Sequence, residues 1–249
     1  MSADLAEIDG SARVVAEAIA WNNGQAPDIV WCIAGASTPG LFVESPREHI
    51  RHHMDVNYMT CADMAHAILS EWLAPESLAK SKERHLVFTS SVAALVSISG
   101  YATYSPSKAA IKSLSDALAQ EMLLYTEDVK IHTVFPGTIT SRGFENEQKT
   151  KPEITKILEE SDPVQTPDVV AAAAISGLEK GEYLVTVAWL GTLMRGLAWN
   201  GSMKNNLLVD TIVSWVAGIV IFFANMDMDS KIRGYRKKHG HPRTYTRKV

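Results

Sequence analysis

Hydrophobic and polar positions follow two different periods along residues 1–190. Apolar residues recur at helical spacing, which predicts amphipathic helices, in 11–23, 46–73, 105–124 and 169–181. Between them lie short apolar runs typical of buried parallel strands: IVWCIAGAS (29–37), HLVFTSS (85–91), VKIHTVFPG (129–137) and EYLVTV (182–187). This alternation predicts an α/β fold in which helices cover both faces of a parallel sheet.

Residues 138–165 interrupt the alternation. They are polar and irregular, with a helical pattern only around 152–160. A connection of this length is unusual in a compact domain unless it has a function. Because open α/β sheets bind ligands at the carboxyl ends of their strands, we interpret this segment as a lobe that covers a substrate.

The distribution of apolar and charged residues changes after residue 190. Residues 207–224 carry one charge, Asp210, and 231–249 contain eight Lys and Arg and no acidic residue. Residues 1–230 hold 16 basic and 28 acidic residues, so the basic charge is concentrated in the tail. An apolar segment followed by cations favours membrane attachment over a core or oligomer-interface helix. The sequence leaves open whether this segment spans the membrane or lies in its interface.

Composition excludes several other classes of protein. With 249 residues and 46% hydrophobic residues, the chain can form one α/β domain with an appendage. Cys32 and Cys61 have neither metal-binding nor disulfide spacing and are expected to be free thiols in a reducing compartment. The first ten residues lack a signal-peptide pattern. No aromatic-interleaved basic patch indicates a nucleic-acid partner.

The candidate catalytic residues lie from the end of the second predicted strand to the helix before the third. Tyr104 and Lys108 are one helical turn apart if the helix begins near Ser105. A neighbouring ammonium is expected to lower the pKa of a phenol towards the working range, which makes it a proton donor and acceptor. A hydroxyl such as that of Ser91 can polarise a carbonyl. A phenol, an ammonium and a hydroxyl together suit the reduction of a ketone or the oxidation of an alcohol. The Tyr–Lys pair alone is equally compatible with a solvated helix face.

Further landmarks resemble the short-chain dehydrogenase/reductase family over roughly residues 1–190. Ser91 precedes Tyr104 by 13 residues, and Asn57 precedes Ser91 by 34. The resemblance implies a Rossmann-like, doubly wound parallel sheet and a nicotinamide cofactor. It also implies that Tyr104 gives a proton to the ketone oxygen, that Lys108 lowers the phenol's pKa and binds the nicotinamide ribose, and that Ser91 polarises the carbonyl. Asn57 would complete a proton relay to Lys108 through its backbone carbonyl and a water.

The same resemblance assigns residues to the cofactor. The family's Asn-Ala-Gly at a strand end corresponds to Ile33, Ala34 and Gly35, so that isoleucine replaces the asparagine. Its Pro-Gly followed by a hydroxyl residue corresponds to Pro136, Gly137 and Ser141. The acidic residue that covers the adenine, and the residue beside it, would be Asp4 and Leu5. Tyr104 and Lys108 complete this set.

The family's glycine-rich phosphate-binding turn, Gly-x-x-x-Gly-x-Gly, does not occur in this sequence. The resemblance therefore predicts a domain at 1–190 that lacks its first strands, about two βα units or roughly 60–75 residues. An apolar, membrane-associated segment at 191–230 and a basic tail at 231–249 complete the predicted organisation.

Within the family, the apolar segment and basic end resemble membrane-attached members. The resemblance to these members implies NADPH as cofactor and a long-chain lipid ketone as substrate. It also implies attachment to the endoplasmic reticulum membrane with the active site facing the cytosol. A homodimer through the helices carrying Asn57 and Lys108 is also implied. A membrane-attached hydroxysteroid or retinol dehydrogenase, and a catalytically inactive fragment that acts as a binding module, remain as alternatives.

A histidine cluster, His49, His52 and His53, has spacing that could hold a metal. No carboxylate or cysteine partner accompanies it in sequence. We therefore expect a solvated helix face and no metal site.

Overall fold

The computed structural model describes residues 2–78, 82–198 and 201–241. The last part of the predicted basic tail, residues 242–249, lies outside the described residues, as do 199–200 in the apolar segment. The strands are β1 Ile29–Cys32, β2 Arg84–Thr89, β3 Val129–Phe135, β4 Thr138–Ile139, β5 Val164–Gln165 and β6 Leu184–Thr186. The α-helices are α1 Gly10–Trp21, α2 Arg47–His53, α3 Thr60–Trp72, α4 Pro75–Leu78, α5 Ser105–Tyr125, α6 Arg142–Thr150, α7 Glu153–Leu158, α8 Pro167–Glu179, α9 Trp189–Ala198 and α10 Leu207–His239.

The main sheet has four strands in the order β1-β2-β3-β6, and all its neighbours are parallel. Three of its strands fall within a predicted apolar run, and β2 begins one residue earlier, at Arg84; all four are shorter than those runs, and β1, for example, ends at Cys32 rather than residue 37. The segments beyond the carboxyl ends become loops and are free to form a site. The predicted α/β class with a parallel sheet is confirmed.

Helices cover the two faces of this sheet unequally. On one face, α1, α3 and α5 pack over strand residues such as Leu86, Phe88 and Ile131. On the other face, α8 packs over Val87, Val134 and Val185, which alternate with the first set along the strands. Burial on both faces explains why the strands read as continuous apolar runs rather than as alternating ones.

The long helix predicted for residues 46–73 is interrupted. A π-helical segment, Met54–Met59, separates α2 from α3 and contains the fully buried Asn57. Single wide turns of this kind are rare and commonly mark functional positions in helices. The apolar period of the sequence does not reveal the wide turn, because the residues on both sides remain helical.

Residues 138–165 form a lobe, but they are helical over Arg142–Thr150 as well, where the sequence indicated irregular structure. The short pair β4–β5 closes its base, and α6 and α7 form its body. The Lys151 ammonium is buried within it, 2.6 Å from a Glu159 oxygen and 5.6 Å from the ring centroids of Tyr101 and Phe144. The Thr155 hydroxyl donates to the Ser99 carbonyl at 2.8 Å, which fastens the lobe to the loop before α5.

The C-terminal region forms two helices, α9 and α10. α10 is one continuous helix of 33 residues, so it runs across the boundary predicted at 230/231 into the basic segment. Its apolar part has a mean hydropathy of 2.3 and is long enough to cross a membrane, yet α10 also packs against α9 and α7.

Candidate active site

The carboxyl ends of β1, β2 and β3 open into a cavity of about 360 Å³. Three loops that leave these strands line it, together with the start of α5 and the lobe. The lining includes Gly35, Ser91, Tyr104, Lys108 and, from the third strand's loop, Pro136, Gly137 and Ser141. The structure thus brings together most of the residues that the sequence assigned to catalysis and to the cofactor.

Tyr104 occupies the N-cap position of α5, and Lys108 lies one turn further on. The Tyr104 phenol is hydrogen-bonded to the Ser91 side chain. The Lys108 Nζ is 5.9 Å from the centre of the Tyr104 ring and donates to the Thr89 carbonyl at 3.1 Å. The Ser90 hydroxyl donates to the Lys108 carbonyl at 2.8 Å, so the strand end and the helix start are fixed to each other.

The ionisation of these groups differs from the sequence-based expectation. Burial raises the pKa of Tyr104; the Ser91 hydrogen bond lowers it, and the charge of Glu147 raises it further. Burial lowers the pKa of Lys108, which is only 4% exposed. The expected lowering of the Tyr104 pKa is therefore wrong for this structure, because desolvation is the largest cause and only the Ser91 hydrogen bond opposes it. The phenol stays protonated at neutral pH and is available as a donor.

Asn57 joins three parts of the site. Its side-chain oxygen accepts from the Ala36 backbone N–H at 2.8 Å, and its amide nitrogen donates to the Ala36 carbonyl at 3.0 Å and to the Ser107 hydroxyl at 2.9 Å. These partners lie 21 and 50 residues away, so this is not the local helix hydrogen bonding that an isolated asparagine would favour. The side chain ties the loop after β1 to the first turn of α5.

Gly35 allows this approach. A Cβ atom at this position would lie 2.8 Å from Asn57 Oδ1 and 3.3 Å from Lys108 Nζ. Only glycine leaves room for both groups, which gives a physical reason for the glycine after the first strand.

The remaining cofactor residues lie in two places. Gly137 and Pro136 line the cavity, and Ser141 lines it while its hydroxyl accepts from the Phe144 N–H at 3.2 Å as the N-cap of α6. Asp4 and Leu5 do not line it. The Asp4 carboxylate accepts from the Ala6 N–H at 2.9 Å, and Leu5 packs on the apolar core near α1.

The cavity fits the nicotinamide end of a dinucleotide. Nothing lies within 4 Å of the position of a Cβ atom on Gly137, so the backbone there is open to a ligand. The Lys108 ammonium and the Tyr104 and Ser91 side chains line the same space. Lys108, Tyr104, Gly35 and the Pro136–Gly137 loop are the residues that would hold this group; Ala34 is exposed and does not line the cavity.

His53 belongs to the site although the sequence suggested a solvated helix face. It is fully buried, and its ring centroid is 5.9 Å from that of Tyr104 in an edge-on arrangement. Its Nε2 accepts from the Thr38 N–H at 3.0 Å. Burial, assisted by the charges of His52 and His49, lowers the pKa of His53 to about 4, so the ring is neutral. The expectation of a solvated face is wrong for His53, and its position one turn before Asn57 is the signal that could have revealed it.

The metal hypothesis receives no support at this cluster. Across the described ranges, no group of three or more His, Cys, Asp or Glu is placed to hold a metal ion. Cys32 and Cys61 are free thiols, as predicted.

Sequence reasoning missed the acidic wall that the lobe contributes to the cavity. Glu147, Glu159 and Asp162 line the side of the cavity formed by α6 and the segment after α7, and Lys151 is their cationic neighbour. Burial and the neighbouring Glu159 raise the pKa of Asp162 to about 6. Burial also raises the pKa of Glu147. Within the described part of the chain, no ion pair or hydrogen bond reaches the Asp162 carboxylate.

A narrow slot continues the cavity towards α9. It shares Val92, Gly137, Thr138 and Asp162 with the cavity and ends at Leu190 and Gly191. Its volume is about 10 Å³, and most of its lining is apolar.

Comparison with curated proteins finds relatives along almost the whole chain. A 3-ketodihydrosphingosine reductase of Neurospora crassa is 48% identical over 252 residues, covering 100% of this chain and 70% of the relative. Its counterpart in Aspergillus fumigatus is 45% identical, covering 97% and 70%. The Saccharomyces cerevisiae protein of the same name is 35% identical, covering 78% of this chain and 57% of that protein.

Solved structures show the same fold at low identity. A short-chain dehydrogenase from Burkholderia cenocepacia in complex with NADP is 20% identical with a TM-score of 0.61, covering 79% of this chain and 74% of that one. One from Burkholderia phymatum in complex with NAD is 18% identical with a TM-score of 0.64, covering 84% and 78%.

The family model described as short chain dehydrogenase matches residues 1–152, which contain Asn57, Ser91, Tyr104 and Lys108. With this match, and with the parallel sheet that places these residues in one cavity, the chain belongs to the short-chain dehydrogenase family, oxidoreductases that use a nicotinamide cofactor.

Proposed function

We propose that this enzyme reduces the ketone of a long-chain 2-amino-3-keto lipid, 3-ketodihydrosphingosine, to the corresponding alcohol with NADPH as reductant. The curated relatives that carry this name match 97–100% of the chain in the two examples from filamentous fungi. The proposed role is therefore a step of sphingolipid biosynthesis.

The proton chemistry follows from the side chains in the cavity. The Tyr104 phenol, kept protonated by burial, donates its proton to the ketone oxygen as that oxygen gains negative charge. The Ser91 hydroxyl, next to the phenol, stabilises the same oxygen by a hydrogen bond. The Lys108 ammonium, fixed by the Thr89 carbonyl, stabilises the phenolate that remains. Asn57 holds the loop after β1 and the start of α5 in place and so positions these groups.

The nicotinamide supplies the hydride that reduces the carbonyl carbon. We propose NADPH rather than NADH on the resemblance to membrane-attached reductases of the family, since solved relatives hold either NADP or NAD. Measuring the reaction with each reduced cofactor tests this choice.

The acidic wall of the cavity is the reason for proposing an amino ketone as the substrate. Lys151 pairs with Glu147 and Glu159, whereas no ion pair or hydrogen bond within the described residues reaches the Asp162 carboxylate, whose pKa is raised by burial and by the charge of Glu159. An ammonium group next to the ketone would supply the missing positive charge. A steroid or a retinoid carries no such group, which makes the hydroxysteroid and retinol dehydrogenases weaker candidates.

The location follows from the lipid nature of the substrate and from α10. A helix whose apolar part has a mean hydropathy of 2.3 suits association with a membrane, and a long-chain ketone resides in the same phase. We propose the endoplasmic reticulum membrane, with the active site facing the cytosol, where NADPH and a reducing environment are available. Fluorescence localisation combined with selective permeabilisation tests both parts.

Subunit pairing is proposed through α3 and α5. The two helices form an apolar groove of about 490 Å³ with Leu69, Leu73, Leu114 and Leu118 among its lining residues. A second copy presenting the same groove would cover it symmetrically. Sedimentation of the detergent-solubilised enzyme, compared with that of Leu118→Asp, measures the oligomeric state.

The experiment that tests the function uses the full chain in lipid vesicles with a long-chain 2-amino-3-ketone, a long-chain ketone without the amine, and a steroid ketone. We expect NADPH-dependent reduction of the amino ketone, strongly reduced turnover of its neutral analogue, and loss of activity in Tyr104→Phe. Turnover of the steroid without turnover of the amino ketone contradicts the proposal. Absence of NADPH binding by the chain contradicts it as well and supports the binding-module alternative.

A further inference from the structure

One face of α10 is docked on the catalytic domain along most of the helix. Asp210, Ala217 and Ile221 are buried. Half-buried residues continue the same face at spacings of three and four, which places them in one stripe along the helix. These are Val213, Ala224, Met228, Ile232 and Tyr235.

The contacts of this stripe are close and specific. A Cβ atom on Gly196 of α9 would lie 2.7 Å from the Ala217 Cβ and 3.1 Å from the Val213 carbonyl oxygen, so the two helices touch where glycine permits it. Val213 also packs against the main core. Further along, α10 packs against α7 of the lobe.

These contacts determine how much of α10 lies against the catalytic domain. From Asp210 to Ile232 the buried and half-buried stripe advances about 33 Å along the helix, at 1.5 Å per residue. The hydrocarbon core of a bilayer is also about 30 Å thick. A helix that crossed the bilayer with these contacts intact would carry α9, α7 and the charged groups of the domain into the hydrocarbon, at a cost of several kcal/mol for each uncompensated charge.

The opposite face of α10 is apolar and uncovered. Trp215 is 76% exposed, and the other large side chains of this outer face are also more than half exposed: Leu208, Ile212, Ile219, Phe222, Phe223 and Met226. A contiguous apolar surface of this kind indicates an interaction site. Exposed cations follow it directly at Lys231, Arg233, Arg236, Lys237 and Lys238, and they suit an anionic lipid surface.

We propose that α10 lies in the plane of the membrane, with its outer face among the acyl chains and its stripe on the catalytic domain, so that both of its ends stay on the same side of the bilayer. Length and hydropathy alone would permit crossing, but the docked stripe selects the in-plane arrangement. The inference deepens the proposed function, because it names the surface through which the enzyme meets its lipid substrate. Leu190 and Gly191 of α9, the helix on which α10 rests, also line the slot next to the cavity.

Topology is measured independently of activity, so failure of this inference is distinguishable from failure of the proposed function. One epitope is inserted after Gly201 and another is added at the C-terminus, and each is probed in microsomes whose cytosolic or luminal side is opened selectively. Accessibility of both epitopes from the same side is expected. Accessibility from opposite sides overturns the proposal.

Depth is measured with Trp215, which lies near the middle of the apolar segment. The full chain and Trp215→Phe are compared in phosphatidylcholine–phosphatidylserine vesicles that carry bromine near either end of the acyl chains, and the difference in quenching reports Trp215. Quenching stronger with bromine near the headgroups is expected. Stronger quenching near the bilayer centre, or no quenching at either depth, contradicts the in-plane arrangement.

A pair of glycine variants tests the docking itself. Gly196→Leu forces α9 and α10 apart, whereas Gly218→Leu adds the same side chain where nothing lies within 4 Å. Gly196→Leu should increase protease cleavage between the two helices at least several-fold, and Gly218→Leu should not. Equal cleavage of both variants and the unaltered chain contradicts the docking; if Gly196→Leu does not fold, the topology of the unaltered chain decides.

Discussion

At the scale of single residues, the active site combines groups whose protonation is set by burial. Tyr104 has a raised pKa and remains a phenol, His53 has a pKa of about 4 and remains neutral, and Asp162 has a pKa of about 6. In a reductase, a protonated phenol is the form that the proton transfer requires. The cavity is therefore prepared for reduction at neutral pH.

Replacing the proton donor should abolish turnover without disturbing the fold. In Tyr104→Phe we expect kcat to fall by about 10²–10⁴-fold, the range attributed to general acid catalysis. Binding of NADPH should weaken far less than kcat falls, because Lys108, Gly35 and the Pro136–Gly137 loop remain to hold the cofactor. Cofactor oxidation and a fluorescence titration measure the two quantities; full activity in this variant would show that another group supplies the proton.

Asp162 should affect both substrate binding and stability. Its pKa in the folded chain is raised from 3.8 to about 6, so the folded state binds more protons than the unfolded state between these values, and stability falls as pH rises through this window. Asp162→Asn should therefore stabilise the chain at pH 7 by about 1–2 kcal/mol after solvent screening. Thermal unfolding at two pH values measures this.

The same variant should weaken recognition of the amine. We expect KM for the amino ketone to rise by about tenfold, equivalent to 1.4 kcal/mol, with no change for a neutral ketone. In the unaltered enzyme KM should rise as pH falls below about 6, because Asp162 loses its charge. An equal effect on the charged and the neutral substrate would assign Asp162 a structural role only.

At the scale of elements, the site depends on how β1, the π-helical segment and α5 are joined. Asn57 makes three hydrogen bonds across these elements and is fully buried. Asn57→Ala leaves buried partners unsatisfied, and we expect a loss of about 2–4 kcal/mol in the free energy of unfolding. Denaturant unfolding measures it, with Ser107→Ala as a control that removes one of the three contacts; equal losses would contradict the joining role.

Apolar periodicity was sufficient to predict the main strands and the long helices but not the joints between them. The four strands of the main sheet and the helices that follow them lie where the pattern indicated, because burial on both sheet faces leaves a clear apolar signal. The π-helical segment and the burial of His53 carry no such signal, since both arise from contacts with residues distant in sequence. The acidic wall was missed for the same reason, because the lobe folds back over the strand ends.

At the scale of the whole molecule, α10 places basic residues beside an apolar surface. Lys237→Gln combined with Lys238→Gln should weaken binding to anionic vesicles by about 10–30-fold, at about 1 kcal/mol per cation, and should leave binding to neutral vesicles unchanged. Cosedimentation at low and high salt measures both. Similar losses on the two lipids would indicate that the charges contribute through folding.

The acidic wall also has a consequence for the order of lipid metabolism. An amide nitrogen carries no positive charge, so an N-acylated keto lipid would offer nothing to compensate Glu147, Glu159 and Asp162. On the proposed function, the ketone is reduced while the amine is still free, and any acylation of that amine follows the reduction. The charge of one cavity wall thus sets the sequence of two reactions.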